Sequence, residues 1–124
     1  MPTLLVVDDD PAMRALITDI FADEGYSVVT APSGEAGLQM LKNVQPALII
    51  ADVRLPGMNG VTFCQSVHAD PQTATIPLVV WSAGSEAAVE HQCHYAAFLS
   101  KPFDIDKLIQ IVARYSRSTD HNVI

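Results

Sequence analysis

Five residues in this chain suit phosphoryl chemistry, and each stands where a short apolar run ends. Asp8 and Asp9 follow "TLLVV", Asp52 closes "ALIIAD", Ser82 follows "PLVVW" and Lys101 follows "AAFLS". Carboxylates gathered at one place repel: two charges about 4 Å apart cost roughly 4 kcal/mol at an effective dielectric near 20. A hard divalent cation relieves that repulsion. All-oxygen ligands favour Mg2+ (or Mn2+), and Mg2+ keeps waters and pairs with phosphate. A carboxylate is also a nucleophile toward phosphorus, giving an aspartyl phosphate. The charge on the phosphoryl oxygens then calls for a metal, a cation and hydrogen-bond donors. Lys101 offers the cation and Ser82 a hydroxyl. The backbone near Ala83 offers an N–H, and small Ala83 and Gly84 leave room for the incoming group.

These residues meet only if the fold brings the ends of their runs together. Short apolar runs recur at 3–7, 26–30, 47–51, 76–81 and 96–100, with amphipathic stretches between them. Met13, Leu16, Ile17, Ile20 and Phe21 share one helix face, and Asp10-Pro11 is a good helix start. Ser33 can cap a helix carrying Ala36, Met40 and Leu41. Gly60 to His68 reads as a third helix with Val61, Cys64 and Val67 inward. Asp104 can cap a last helix with an Ile105, Leu108, Ile109 and Val112 stripe, onto which Phe103 staples. "GSEAAVEHQCHYAA" holds at most a short helix, and "RSTDHNVI" reads as a polar, frayed tail.

Strands alternating with helices give a parallel sheet covered on both faces. Right-handed crossovers make it a doubly wound, three-layer α/β domain whose strands share one carboxyl rim. That rim would gather Asp8, Asp9, Asp52, Ser82 and Lys101. In "IIADVRLPGMNG" the Pro-Gly and Asn-Gly pairs read as turns leading away from Asp52.

A chain of 124 residues suits one domain, and 49% hydrophobic residues argue against disorder. A formal net charge of −7 argues against nucleic acid or an anionic membrane as direct partner. "MPTLLVVDDD" does not read as a signal peptide. No apolar run approaches the roughly 18 residues of a membrane span. Cys64 and Cys93 form neither a CxxC nor a metal-ligand spacing, which predicts reduced, packed thiols. A cytoplasmic location is expected.

Plainer readings stand beside these. Asp10 before Pro11 is a helix cap. An EF-hand loop starting at Asp8 fails because Met13 stands where the sharp turn needs Gly. A phosphatase with an Asp-x-Asp pair has the Asp8/Asp10 spacing, but Pro11 and Ala12 do not fit it. Trp81 reads as core, turned away from Ser82 by strand alternation. Phe98 reads equally well as core. Arg14 is expected on the exposed face of the first helix, and His91 and His94 on the surface.

"LLVVDDDPAMR", "IIADVRLPGMNG", "PLVVWSA" and "FLSKPFD" together resemble the receiver domain of two-component response regulators, from Thr3 to about Tyr115. The resemblance implies a flavodoxin-like strand order 2-1-3-4-5. It implies a single receiver domain over 1–124, with a core of about 3–115 and a tail at 116–124. Asp52 resembles the phospho-acceptor, supplied by the phosphohistidine of a sensor kinase or phosphotransfer protein. Asp8 and Asp9 resemble the acidic pair that holds Mg2+, with Asp52 itself and the Arg54 backbone carbonyl as further ligands. Ser82 occupies the switch hydroxyl position and Phe98 the switch aromatic position. Ser82, Ala83 and Lys101 would bind the phosphoryl group. The Lys101–Pro102 bond is often cis in the family.

The chain departs from the family after Ser82. Lys101 follows Ser82 by 19 positions, a few fewer than in typical receivers, and "CHYAAF" replaces a Gly-Ala pair before the fifth strand. That region is the family's usual output surface, so the chemistry looks intact while the route of the output is altered. The expected function is a phosphorylation-controlled switch acting on a downstream protein, without turnover of an external substrate. The alternatives are a phosphorylation-independent receiver-like binding module and, last, a small metal-dependent phosphatase.

Overall fold

The computed structural model describes residues 2–55, 57–82, 93–100 and 104–121, with residues 117–121 described by backbone alone. Ala83, Gly84, His91, Lys101, Pro102 and Phe103 lie outside the described residues, and so does the short helix expected after Ser82.

The elements run β1 (Thr3–Val7), α1 (Pro11–Asp23), β2 (Ser27–Ala31), α2 (Gly34–Met40), β3 (Leu48–Asp52), α3 (Gly60–Ala69), β4 (Leu78–Ser82), β5 (Ala97–Ser100) and α4 (Ile105–His121). The five strands form one parallel sheet in the order β2-β1-β3-β4-β5. This is the doubly wound α/β architecture that the alternation predicts. β1, β3 and β4 are almost wholly buried, because helices cover both faces of a parallel sheet.

Period-two alternation sorts the strand residues into two cores. Leu4, Val6, Leu48, Ile50, Val79 and Trp81 pack against Ile17 and Phe21 of α1 and Leu108 and Val112 of α4. Leu5, Val7, Ile49, Ala51, Leu78 and Val80 pack against Phe63, Cys64 and Val67 of α3. Side-chain caps start the helices. Asp10 accepts from Ala12 N–H (2.9 Å), Ser33 from Ala36 N–H (3.1 Å) and Asn59 from Thr62 N–H (2.9 Å). Asp104 accepts from Asp106 N–H (2.8 Å) ahead of α4.

Several expectations need correction. On α3 it is Phe63, not Val61, that is buried with Cys64 and Val67. Val61 and Phe63 lie about 200° apart on a helix, so the stripe is centred one step round from the predicted line. Leu16 (44% exposed) and Ile105 (42%) lie at the edges of their stripes. α4 runs beyond Tyr115 through residues expected to be a polar tail, as far as His121.

Cys64 and Cys93 are not reduced thiols: they form a disulfide with Cα atoms 6.2 Å apart, inside the roughly 4.4–6.8 Å that such bonds span. Local spacing rules look for short-range pairs, whereas this pair is 29 residues apart and meets only in the fold. The bond ties α3 to the segment that enters β5.

Candidate acidic site at the sheet rim

The sheet register builds the site. β1 and β3 are neighbours, with Val7 opposite Ala51, so the next residues, Asp8 and Asp52, emerge side by side at the rim. Asp52 is opposite Trp81 in the β3–β4 ladder, and Ser82 ends β4 one residue later. One carboxylate oxygen from each of Asp8, Asp9 and Asp52 lies within 4.8 Å of the others. Asp9 is exposed, while Asp8 and Asp52 are buried (0% and 6% exposed).

A buried carboxylate is tolerable only when its oxygens are paired. Asp8 Oδ1 accepts from Asp10 N–H (2.9 Å), and Oδ2 accepts from the Trp81 indole Nε1–H (3.0 Å). The Asp8 carbonyl oxygen accepts from Arg14 Nη1 (2.7 Å). Asp52 Oδ1 accepts from Arg54 N–H (2.9 Å), which fixes the carboxylate's rotation.

The loop after Asp52 returns tightly. Gly60 N–H donates to Val53 C=O (2.8 Å), and a Cβ on Gly60 would run into the Asp52 carbonyl oxygen and Val53 Cα. Only glycine lets α3 start against the end of β3. Gly57 takes φ +71°, the left-handed region in which L side chains are strained.

Two site neighbours escaped the sequence reading. Trp81 is fully buried core as expected, yet its indole N–H also orients a metal-ligand candidate. The available signal was chemical: a buried Trp needs a partner for its N–H, and the nearest polar groups at a strand end are the rim acids. Arg14, expected on the exposed face of α1, is half-buried and folds back onto the Asp8 carbonyl.

Phe98 is half-buried in the α3-side core, its ring 6.1 Å from that of Tyr95 and tilted by 51°. Ser82 is buried at the rim (3% exposed). The structure thus brings Asp8, Asp9, Asp52 and Ser82 to one edge, while Ala83 and Lys101 fall outside the described residues.

The acidic cluster fits a hard divalent cation, since three carboxylates converge and every donor is oxygen. A doubly wound parallel sheet with such a cluster at its carboxyl rim defines a class of α/β domains that bind their ligands at that rim. Comparison with known proteins narrows the class. The response regulator receiver domain model matches residues 4–113, and the chain belongs to that family. It is 34% identical over 123 residues to the DNA-binding dual master transcriptional regulator RpaA of Synechocystis, covering 97% of this chain and 51% of that protein. The chain thus spans about half the length of that regulator.

Among solved structures it is similar to a putative response regulator from Chloroflexus aurantiacus (TM-score 0.87, 33% identity, 94% of this chain and 98% of that one). It shares its fold with the receiver domain of a sensor histidine kinase from Pseudomonas aeruginosa, solved with a magnesium ion in the active-site cleft (TM-score 0.84, 22% identity, 93% and 97% covered). Receiver domains are phospho-accepting signalling domains rather than classical enzymes. Among the described residues no helix is long and apolar enough to cross a membrane.

Proposed function

We propose that Asp52 is the phospho-acceptor of this receiver domain and that Asp8, Asp9, Asp52 itself and the Arg54 carbonyl hold Mg2+ (or Mn2+). The supporting observation is the convergence of the three carboxylates within 4.8 Å, with Asp52 closing β3 at the rim. An Asp52 carboxylate oxygen attacks the phosphorus of a phosphohistidine on a sensor kinase or phosphotransfer protein. The P–O bond forms as the P–N bond breaks, and the imidazole leaves. Mg2+ held by these residues would neutralise charge on the carboxylates and the phosphoryl oxygens. Arg54 N–H holds the Asp52 carboxylate in place, and Asp10 N–H and Trp81 Nε1–H hold that of Asp8.

Ser82, Ala83 N–H and Lys101 take the phosphoryl oxygens in this reading, and Phe98 follows Ser82 as the switch aromatic. Driving such a switch from mostly off to mostly on needs about 5.5 kcal/mol of differential stabilisation. New charge-assisted bonds to the phosphoryl group would supply it. By holding its own metal and reactive carboxylate, the domain assists its own phosphorylation and dephosphorylation. We read 1–124 as one receiver domain that acts in the cytoplasm on a downstream protein, with no direct nucleic-acid contact.

The test is labelling with a small phosphodonor in Mg2+, followed by mapping of the modified residue. Asp52→Asn should abolish labelling. Undiminished labelling at another residue would overturn the assignment.

A further inference from the structure

A second cluster of ligating side chains lies away from the acidic rim, against α3. Cys64 and His68 are one helical turn apart on α3 and share a face. Cys93 reaches the same face from the segment before β5. The two sulfurs and a ring nitrogen of His68 all lie within 4.8 Å of one another. Cys64 is buried, and His68 and Cys93 are half-buried.

A structural disulfide has no need of an imidazole beside it. Here the ring is held at both nitrogens, with Nδ1 3.3 Å from the Ala74 carbonyl oxygen and Nε2 2.6 Å from that of His94. The His94 oxygen also lies 3.2 Å from Cys64 Sγ and 3.7 Å from Cys93 Sγ, so both sulfurs and Nε2 surround that one carbonyl oxygen. A ligating histidine characteristically donates its other ring N–H to a carbonyl, which fixes the tautomer. In the disulfide form the shorter contact makes Nε2 the donor to the His94 carbonyl; a metal would take Nε2 deprotonated, with the ring proton on Nδ1 facing the Ala74 carbonyl.

We propose that Cys64, Cys93 and His68 form a second cation site, for a soft divalent ion such as Zn2+, available when the disulfide is reduced. Two thiolates and an imidazole are a zinc donor set, with water completing four-coordination. They are a poor set for Mg2+, so the two sites do not compete for one ion. The cross-link and the metal use the same sulfurs and exclude each other.

The interconversion balances. A small dithiol gives two electrons and two protons to the Cys64–Cys93 bond, becoming a cyclic disulfide and leaving two thiols. Binding Zn2+ then releases two thiol protons. In reverse, after the metal leaves, the more accessible Cys93 thiolate attacks a small-molecule disulfide and expels one thiol. Cys64 then attacks Cys93 Sγ in the mixed disulfide and expels the second. The ion would replace one tie between α3 and the entry to β5 with another. This site stands independently of the phospho-acceptor assignment.

The probe is Co2+ added to anaerobically reduced, desalted full-length protein in excess Mg2+, which keeps the acidic rim occupied. One equivalent should produce thiolate-to-cobalt charge-transfer absorption that Zn2+ abolishes. The disulfide form should show none, and Asp52→Asn should leave the signal unchanged. Cys93→Ser should remove most of it, and His68→Gln should weaken Co2+ binding at least about tenfold. Absence of charge transfer in the reduced wild type would overturn the site. So would a signal unchanged in His68→Gln, which decides the matter even if Cys93→Ser does not fold.

Discussion

The Trp81 indole N–H donates to Asp8 Oδ2 at 3.0 Å, joining the packed core beneath the sheet to the acidic rim above it. Trp81 is fully buried and so is Asp8, and the two residues are 73 positions apart. The bond makes Trp81 both a core side chain and a support for a metal-ligand candidate. Trp81→Phe keeps most of the apolar packing and deletes the donor. A hydrogen bond to a charged group contributes about 1.5–3 kcal/mol, and the buried carboxylate loses its partner. The variant should therefore unfold at lower denaturant with an unchanged m-value and should bind Mg2+ more weakly. Urea titrations with and without Mg2+ check both effects.

Gly60 gives a backbone prediction. A methyl group there meets the Asp52 carbonyl oxygen and Val53 Cα, and backbone cannot swing aside as a side chain can. Gly60→Ala should cost about 1–3 kcal/mol, the range for overpacking a close-packed site. Because the displaced backbone carries Asp52, phosphodonor labelling should slow as well. Labelling at the wild-type rate in a destabilised Gly60→Ala protein would show that the loop and the carboxylate are not coupled.

The disulfide gives a stability prediction. It closes a loop between residues 29 apart, and the chain-entropy model assigns such a loop about 3–4 kcal/mol. Denaturant curves with and without a dithiol, in the presence of a chelator, should differ by that amount. Coincident curves would show that the cross-link does not constrain the unfolded chain.

Much of the fold was legible because its determinants are local. The apolar runs at 3–7 and 47–51 read as buried strands, and Asp10-Pro11 and Ser33 started helices where capping chemistry required. The acidic cluster was legible for a topological reason: parallel strands share a rim, so residues at their carboxyl ends meet. The hidden relationships all depend on distances that periodicity does not encode. Trp81 reaches Asp8 through the neighbouring β3 ladder, and Arg14 curls back across a helix turn. Cys64 finds Cys93 only because α3 packs beside the entry to β5. Phe63 displaced Val61 from the core because a small rotation of α3 lets its larger ring fill the space beside Gly37 and Val7.

The central claim, that Asp52 accepts a phosphoryl group in a metal-loaded acidic site, is tested most directly by Trp81 fluorescence. The indole is bonded to Asp8, so it reports on the site itself. The protein is first saturated with Mg2+ and then titrated with beryllofluoride, which mimics a phosphoryl group on Asp. A saturable, Mg2+-dependent change on the beryllofluoride step in wild type, absent in Asp52→Asn, is the predicted result. An identical beryllofluoride response in both proteins would contradict the account.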